Sequence, residues 1–276
     1  MELTIYQVDA FTDRVFAGNP AAVIPLSEWL PDNVLQSLAL ENNLAETAFF
    51  VPTPADPDHD FHLRWFTPKI EVDLCGHATL ASAAVLYREL GWAQEEIRFK
   101  ALAGDLMVRK KGAMFELDFP SRVPAVTDPP EGFGEALGAA PLEFLKAKKF
   151  LAVLEDEAAV LAVQPDMDFI AGMPGDGLIV TAPGRSEGGE SVDCVSRYFA
   201  PHAGIPEDPV TGSAHCTIIP YWAEKLGKSN LHARQISARG GDLYCTLAGD
   251  RVLIAGQAVL YMKGAVHVGD GWRGKS

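Results

Sequence analysis

Leu3, Ile5, Val8 and Phe11 recur among polar residues at the start of the chain and predict a first strand over Leu3–Phe11. Gly18-Asn19-Pro20 makes a turn before a short apolar strand, Ala21–Ile24. A helix begins at Ser27 or at Pro31-Asp32 and runs to about Glu41, with Leu35, Leu38 and Ala39 on one face. Thr47–Val51 reads as a strand broken by Pro52, Pro54 and Pro57. In Asp60–Phe66, Phe61, Leu63 and Trp65 alternate with His62 and Arg64, a second strand pattern. His77–Leu90 is apolar on nearly every face, which places it inside a core, and Gly91 ends it. Strands follow at Ile97–Phe99, Leu106–Arg109 and Phe115–Phe119.

Pro120–Pro130 holds four prolines and is the candidate linker. Beyond it the pattern predicts a short helix near Glu131–Leu137, a strand at Phe150–Glu155 and a helix near Ala158–Val163. A turn then leads to a strand at Gly177–Ala182, a polar hairpin tip at 185–190 and a strand at Val192–Phe199. Gly212–Lys225 is a second mostly apolar helix, interrupted by Pro220. Strands at Gln235–Ala238, Leu243–Ala248, Arg251–Ala255 and Ala258–Met262 close the chain.

The chain repeats itself. Arg64-Trp65-Phe66-Thr67-Pro68 matches Arg197-Tyr198-Phe199-Ala200-Pro201, and Gly76-His77-Ala78 matches Gly212-Ser213-Ala214 in the same order, each opening an apolar helix. The second copy carries three more residues in the intervening loop. Two like domains are expected, each wrapping a sheet around one buried helix: residues 1–120, completed by a C-terminal strand at about 258–276, and residues 121–257. The two helix N-termini would face a cleft between the domains and offer unpaired N–H groups to a carboxylate. The alternative is that the glycines only permit close packing.

Composition narrows the function classes. The 276 residues are 48% hydrophobic and 22% charged, which suits a soluble globular protein with a sizeable core. With 23 basic and 37 acidic residues the net charge is -14, which repels nucleic acid and anionic membranes. The N-terminus has an acid where a signal peptide needs a cation, and no window is long and apolar enough to span a bilayer. The four cysteines, Cys75, Cys194, Cys216 and Cys245, are far apart and are expected as reduced thiols in the cytoplasm. No Cys/His quartet or H-E-x-x-H predicts a metal. His59 and His62 fall in a turn where solvent is the expected partner. Without G-x-S-x-G, Walker A or G-x-G-x-x-G, no nucleotide cofactor is implied.

Several residues are candidates for chemistry. Glu46 precedes the apolar run Ala48-Phe49-Phe50-Val51, where a carboxyl beside aromatic surface could shuttle a proton both ways; the residues alone favour a helix-end or solvated acid over that reading. His77 is a proton relay or a capping or core histidine. Cys75, at a helix start, is a thiol of lowered pKa or an inert buried cysteine. Asp208 and Ser213 could hold a substrate amine and carboxylate, or could be an ordinary N-cap arrangement.

Together, Asp9-Ala10-Phe11-Thr12, Gly18-Asn19-Pro20-Ala21-Ala22-Val23, Ala45-Glu46-Thr47, Phe66-Thr67-Pro68, Cys75-Gly76-His77-Ala78-Thr79 and Asp208-Pro209-Val210-Thr211-Gly212-Ser213-Ala214 resemble the PhzF family of phenazine-biosynthesis isomerases, related to diaminopimelate epimerase and proline racemase. The resemblance runs from end to end. It implies an α+β fold of two similar domains, each a curled sheet around a central helix, and a homodimer that needs neither cofactor nor metal. It implies Glu46 as the catalytic acid/base, with His77 and Asp208 in the catalytic set. Gly76, Gly212, Ser213, Asn19 and Cys75 would then surround a small carboxylate substrate. In the phenazine enzyme the glutamate moves a proton between carbons of a dihydro-hydroxyanthranilate. A two-thiol racemase departs from this sequence: Cys75 matches the first thiol, Asp208-Pro209-Val210 occupies the region of the second, and Cys216 lies about one turn into the helix. An epimerase, racemase or dehydratase using Glu46 or Cys75 and a non-catalytic binding or interaction module are the alternatives.

Overall fold

The computed structural model describes residues 1–187 and 190–269. Contacts divide it into two compact units, one of Met1–Phe16, Pro20–Leu117 and the chain from Gly256, the other of Ala17–Asn19 and Asp118–Ala255. No helix among the described residues is long and apolar enough to cross a membrane.

The first unit contains β1 (Glu2–Ala10), β2 (Asn19–Pro25), α1 (Asp32–Asn42), β3 (Glu46–Pro52), β4 (Phe61–Phe66), β5 (Glu71–Val72), α2 (Gly76–Arg88), β6 (Glu96–Ala101), β7 (Gly104–Lys111) and the start of β8 (Met114–Pro120). β2 runs parallel to β3, β3 antiparallel to β4, and β4 parallel to β6, which continues through antiparallel β7 and β8. β3 is buried on both faces as far as Val51, as the unbroken run Ala48-Phe49-Phe50-Val51 requires. α2 is buried continuously from His77 to Tyr87 and packs against β1 and β3, so its apolar circumference is the centre of the unit. Its helical hydrogen bonding ends at Glu89, two residues before Gly91.

The second unit contains β9 (Ala125–Val126), α3 (Phe133–Leu137), β10 (Glu143–Lys146), β11 (Phe150–Val153), α4 (Glu157–Ala162), α5 (Met167–Gly172), β12 (Leu178–Pro183), the small hairpin β13 (Ser186–Glu187) and β14 (Glu190–Ser191), β15 (Cys194–Ala200), β16 (Ile205–Asp208), α6 (Gly212–Leu226), β17 (Asn230–Gln235), β18 (Gly241–Ala248) and β19 (Arg251–Gly256). Gly188 and Gly189 of the expected hairpin tip lie outside the described residues. The pairing scheme repeats that of the first unit: β11 is parallel to β12, β12 antiparallel to β15, and β15 parallel to β17, which continues into antiparallel β18 and β19. The final strand, β20 (Ala258–His267), returns to the first unit and lies antiparallel to β1.

The repeat extends to side chains. Arg64 grips Glu71 with two hydrogen bonds of 2.7 Å and lies over the Phe66 ring. Arg197 grips Glu207 at 2.8 and 2.9 Å and lies over Phe199. Each planar guanidinium ties a short return strand to the strand that precedes it.

Several expectations are corrected. Part of the proline-rich linker forms β9, which pairs with β10 and so belongs to the second unit. The strand expected at Gln235–Ala238 lies earlier, at β17, because Ser237 and Gly240 form a turn there. Helix α5 went unforeseen; it is two turns long and buries only Ile170. Pro220 does not interrupt α6. It removes the donor due to the Cys216 carbonyl, and the Arg122 backbone N–H supplies one at 2.9 Å.

Candidate active site

α1 ends at Asn43 in the left-handed conformation (φ 48°), which turns the chain sharply into β3 and makes Glu46 its first residue. The Asn42 amide donates to the Thr47 hydroxyl at 3.1 Å and fixes that turn. Glu46 pairs in register with Ala21 of parallel β2, so its position is set by the sheet rather than by a mobile loop. Cys75 is the extended N-cap residue of α2, and His77 sits in the first turn. The His77 ring lies between the other two: Nε2 is 3.2 Å from a Glu46 carboxylate oxygen, and Nδ1 is 3.5 Å from the Cys75 sulfur. Glu46, Cys75 and His77 are 8, 6 and 5% exposed, so the three groups interact with little screening by water.

The electrostatics follow from this order. Burial works against an imidazolium at His77, but the charged forms of Cys75 and Glu46 on either side outweigh it and shift the ring well above the ordinary histidine range. Burial and the neighbouring Glu46 push the Cys75 thiol up to about 11. Of the two readings of Cys75, this favours the inert buried cysteine over the lowered thiol: the desolvation of a thiolate outweighs whatever the helix terminus provides. The ring therefore lies between the Glu46 carboxyl group and a thiol that burial raises away from neutral pH.

In the second unit Asp208 ends β16, and both its carboxylate oxygens are engaged. One accepts from the Asn19 amide at 2.8 Å and the other from the Thr211 hydroxyl. Asn19 donates also to the Val210 carbonyl at 2.9 Å. Thr211 is the N-cap residue of α6, but its hydroxyl is turned to Asp208 and does not cap the helix. Gly212 and half-buried Ser213 open that helix. Gln235 went unnoticed in the sequence and holds the whole turn. Its amide donates to the Asp208 carbonyl at 2.7 Å and its oxygen accepts from the Thr211 N–H at 2.8 Å. The signal was available: Leu231, Ala233 and Gln235 are the inward positions of β17, and a polar residue in such a row needs a buried partner. Cys216, one turn into α6, is buried, and burial pushes its thiol up to about 11. His59 and His62 do not face solvent alone: His59 joins Asp56 and Asp105 at 2.9 and 2.8 Å, and His62 accepts from the Trp29 indole at 3.2 Å.

The repeat explains why the titratable groups gather in one unit. Thr47 pairs with Phe66, and Leu178 pairs with Phe199, the repeat partner of Phe66. The counterpart of Glu46 is thus Gly177, at φ +106°. A Cβ there would sit 2.5 Å from the Phe199 carbonyl, so no acid fits. Likewise Thr211 stands for Cys75 and Ser213 for His77.

The model of the phenazine biosynthesis-like protein family, PhzC-PhzF, matches residues 8–264. The chain belongs to the PhzC-PhzF family. A protein of Pseudomonas aeruginosa named as an uncharacterized isomerase is 51% identical to this family member over 268 residues, covering 97% of this chain and all of the relative. The crystal structure of a PhzF-family protein from Enterococcus faecalis superimposes with a TM-score of 0.91 at 44% identity, over 97% of this chain and all of that one. A hydroxyproline epimerase from Agrobacterium vitis shares the fold alone, with a TM-score of 0.60 at 11% identity over 98% and 94% of the two chains. The PhzC-PhzF chain thus has the α+β fold that the motif resemblance implied.

Proposed function

We propose that this PhzC-PhzF family member is a cofactor-independent isomerase that moves a proton between carbons of a small carboxylate substrate, with Glu46 as the acid/base. The reading rests on one observation above all, the buried contact of 3.2 Å between Glu46 and His77. An ionised Glu46 takes a proton from a substrate carbon, and the electron pair left behind is delocalised through the conjugated substrate. The same carboxyl then returns the proton to another carbon, so no atom or electron is gained or lost. His77, charged and held at one end by Cys75, keeps the carboxylate aimed and lowers the cost of its charge in a water-poor site. Asp208, Asn19, Gly76, Gly212 and Ser213 are assigned to holding the substrate, with Thr211 and Gln235 fixing the turn that presents Asp208. The names of the isomerase relatives support the reaction class. A homodimer and a cytoplasmic location belong to the same proposal, and sedimentation of the purified protein checks the first.

The test is deuterium exchange. The protein is incubated in D2O with a panel of small amino and hydroxy carboxylic acids that includes dihydro-hydroxyanthranilate, and label is read by mass spectrometry. Glu46→Gln should reduce exchange by at least about a hundredfold, the scale of a lost general base. Exchange that survives the substitution would move the chemistry to another group. Absence of exchange across the panel would favour a binding module. A thiol-based epimerase gains no support from the site, because burial keeps the Cys75 thiol protonated at neutral pH.

A further inference from the structure

Glu46, Cys75 and His77 are also a set of metal donors. One ligand atom each from Glu46, Cys75 and His77 lie within 4.8 Å of one another, and all three residues are buried. The 3.5 Å between the Cys75 sulfur and His77 Nδ1 is the separation that a tetrahedral ion imposes when it bonds sulfur at about 2.3 Å and nitrogen at about 2.0–2.1 Å. The Glu46 carboxylate, now 3.2 Å from Nε2 at the other end of the ring, would supply the third donor after turning toward Nδ1, leaving one open position. One thiolate, one imidazole and one carboxylate favour zinc over magnesium or calcium, which take oxygen alone. The donors come from rigid elements, the first residue of β3 and the N-terminal turn of α2, so little of the backbone has to be ordered on binding.

We propose that Glu46, Cys75 and His77 capture a single zinc ion, and that the captured ion arrests the acid/base chemistry by occupying the Glu46 carboxylate. The capture stands on the donor set alone; only its inhibitory consequence rests on the function proposed above. The step is ligand exchange without electron transfer. The thiol and one imidazole nitrogen lose their protons to solvent, zinc gives up water molecules, and bonds to sulfur, nitrogen and oxygen form. The rearrangement required is a swing of the Glu46 carboxylate from Nε2 toward the edge between sulfur and Nδ1.

Cobalt(II), a spectroscopic substitute for zinc, provides the test on the full-length protein. Anaerobic titration should saturate at one equivalent, with a thiolate-to-cobalt charge-transfer band in the near ultraviolet and the intense visible bands of a tetrahedral site. Zinc chloride should erase both. Cys75→Ser should abolish the charge-transfer band while the buried Cys194, Cys216 and Cys245 remain as internal controls. Glu46→Gln and His77→Ala should weaken binding at least tenfold, with circular dichroism confirming that each variant is folded. A charge-transfer band that persists in Cys75→Ser, or only the weak visible absorption of octahedral cobalt in the unsubstituted protein, would overturn the capture. Stoichiometric zinc should stop deuterium exchange, and exchange that continues in zinc-saturated protein would overturn the arrest. A Cys75-dependent band in a protein that exchanges no substrate would leave the metal site standing and remove the isomerase reading.

Discussion

Two buried histidines, one on each long helix, titrate in opposite directions because of what each ring meets. His77 faces Glu46 and Cys75, whose charged forms raise it in spite of burial. His215 faces no countercharge. Its Nδ1 lies 2.8 Å from the Thr211 carbonyl, its Nε2 has no hydrogen-bond partner among the described residues, and burial drives it down to about 4. A folded value below the unfolded one means that the neutral ring is at no disadvantage above about pH 6.5. Stability is then lost as pH falls from there through the folded value, by an amount that reaches about 3 kcal/mol. The position that corresponds to His215 in the first repeat holds Thr79, whose hydroxyl donates to the Cys75 carbonyl at 2.6 Å and leaves no polar atom orphaned. His215→Thr should therefore lower the pH midpoint of acid unfolding, followed by far-ultraviolet circular dichroism. A midpoint that stays in place would assign the acid lability to other groups.

At the scale of elements, α6 depends on a donor from outside itself. Because Pro220 has no N–H, the Cys216 carbonyl relies on the Arg122 backbone. Arg122→Pro removes that donor and should cost about 1–3 kcal/mol in urea unfolding, the penalty for an unmet buried acceptor. Arg122→Ala keeps the N–H and should cost little; equal losses in the two variants would place the effect in the side chain instead. The dependence was illegible in the sequence, where Pro220 reads only as a break, because the compensating group is nearly a hundred residues away. β9, β10, β5 and β16 were hidden for another reason: each is a run of two to four residues that becomes a strand only through its partner. Elements that bury a full face behaved otherwise. α1, α2, β3 and β4 all fell within about two residues of the positions that their apolar spacing predicts. Of the site, the motifs pointed to Glu46, Cys75 and His77 individually, but neither the order sulfur–imidazole–carboxylate nor the neutral thiol could be read from spacing. Gln235 was missed for a related cause: its inward direction depends on strand register, which the sequence misplaced by several residues.

At the scale of the whole molecule, the chain closes on its own beginning. β20 lies along β1 from Glu2 opposite His267 to Ala10 opposite Ala258, with one irregularity at Gln7/Val8. The end of the ladder is fastened on both sides: the Phe11 and Thr12 N–H groups donate to the Gln257 carbonyl, and the Val268 N–H donates to the Met1 carbonyl at 2.8 Å. The Arg88 guanidinium, in the last turn of α2, donates to the Ala258 carbonyl, so the strand also fixes the far end of the helix that carries His77. Most of β20 is exposed, and its contribution is therefore in the backbone ladder rather than in apolar burial. At about 1 kcal/mol net per ladder hydrogen bond, a strand of this length rivals the net stability of a domain, about 5–15 kcal/mol. A chain ending at Gly256 should consequently lose amide protection throughout β3, β4 and α2 in hydrogen–deuterium exchange. Peptides from β12, β15 and α6 should keep theirs, since their own sheet pairings remain. Adding back a peptide of residues 257–269 should restore protection to α2 first where Arg88 regains its acceptor. Retained protection in α2 of the shortened chain would show instead that β20 is a dispensable edge, and that Glu46, Cys75 and His77 are held by β2, β3 and α2 alone.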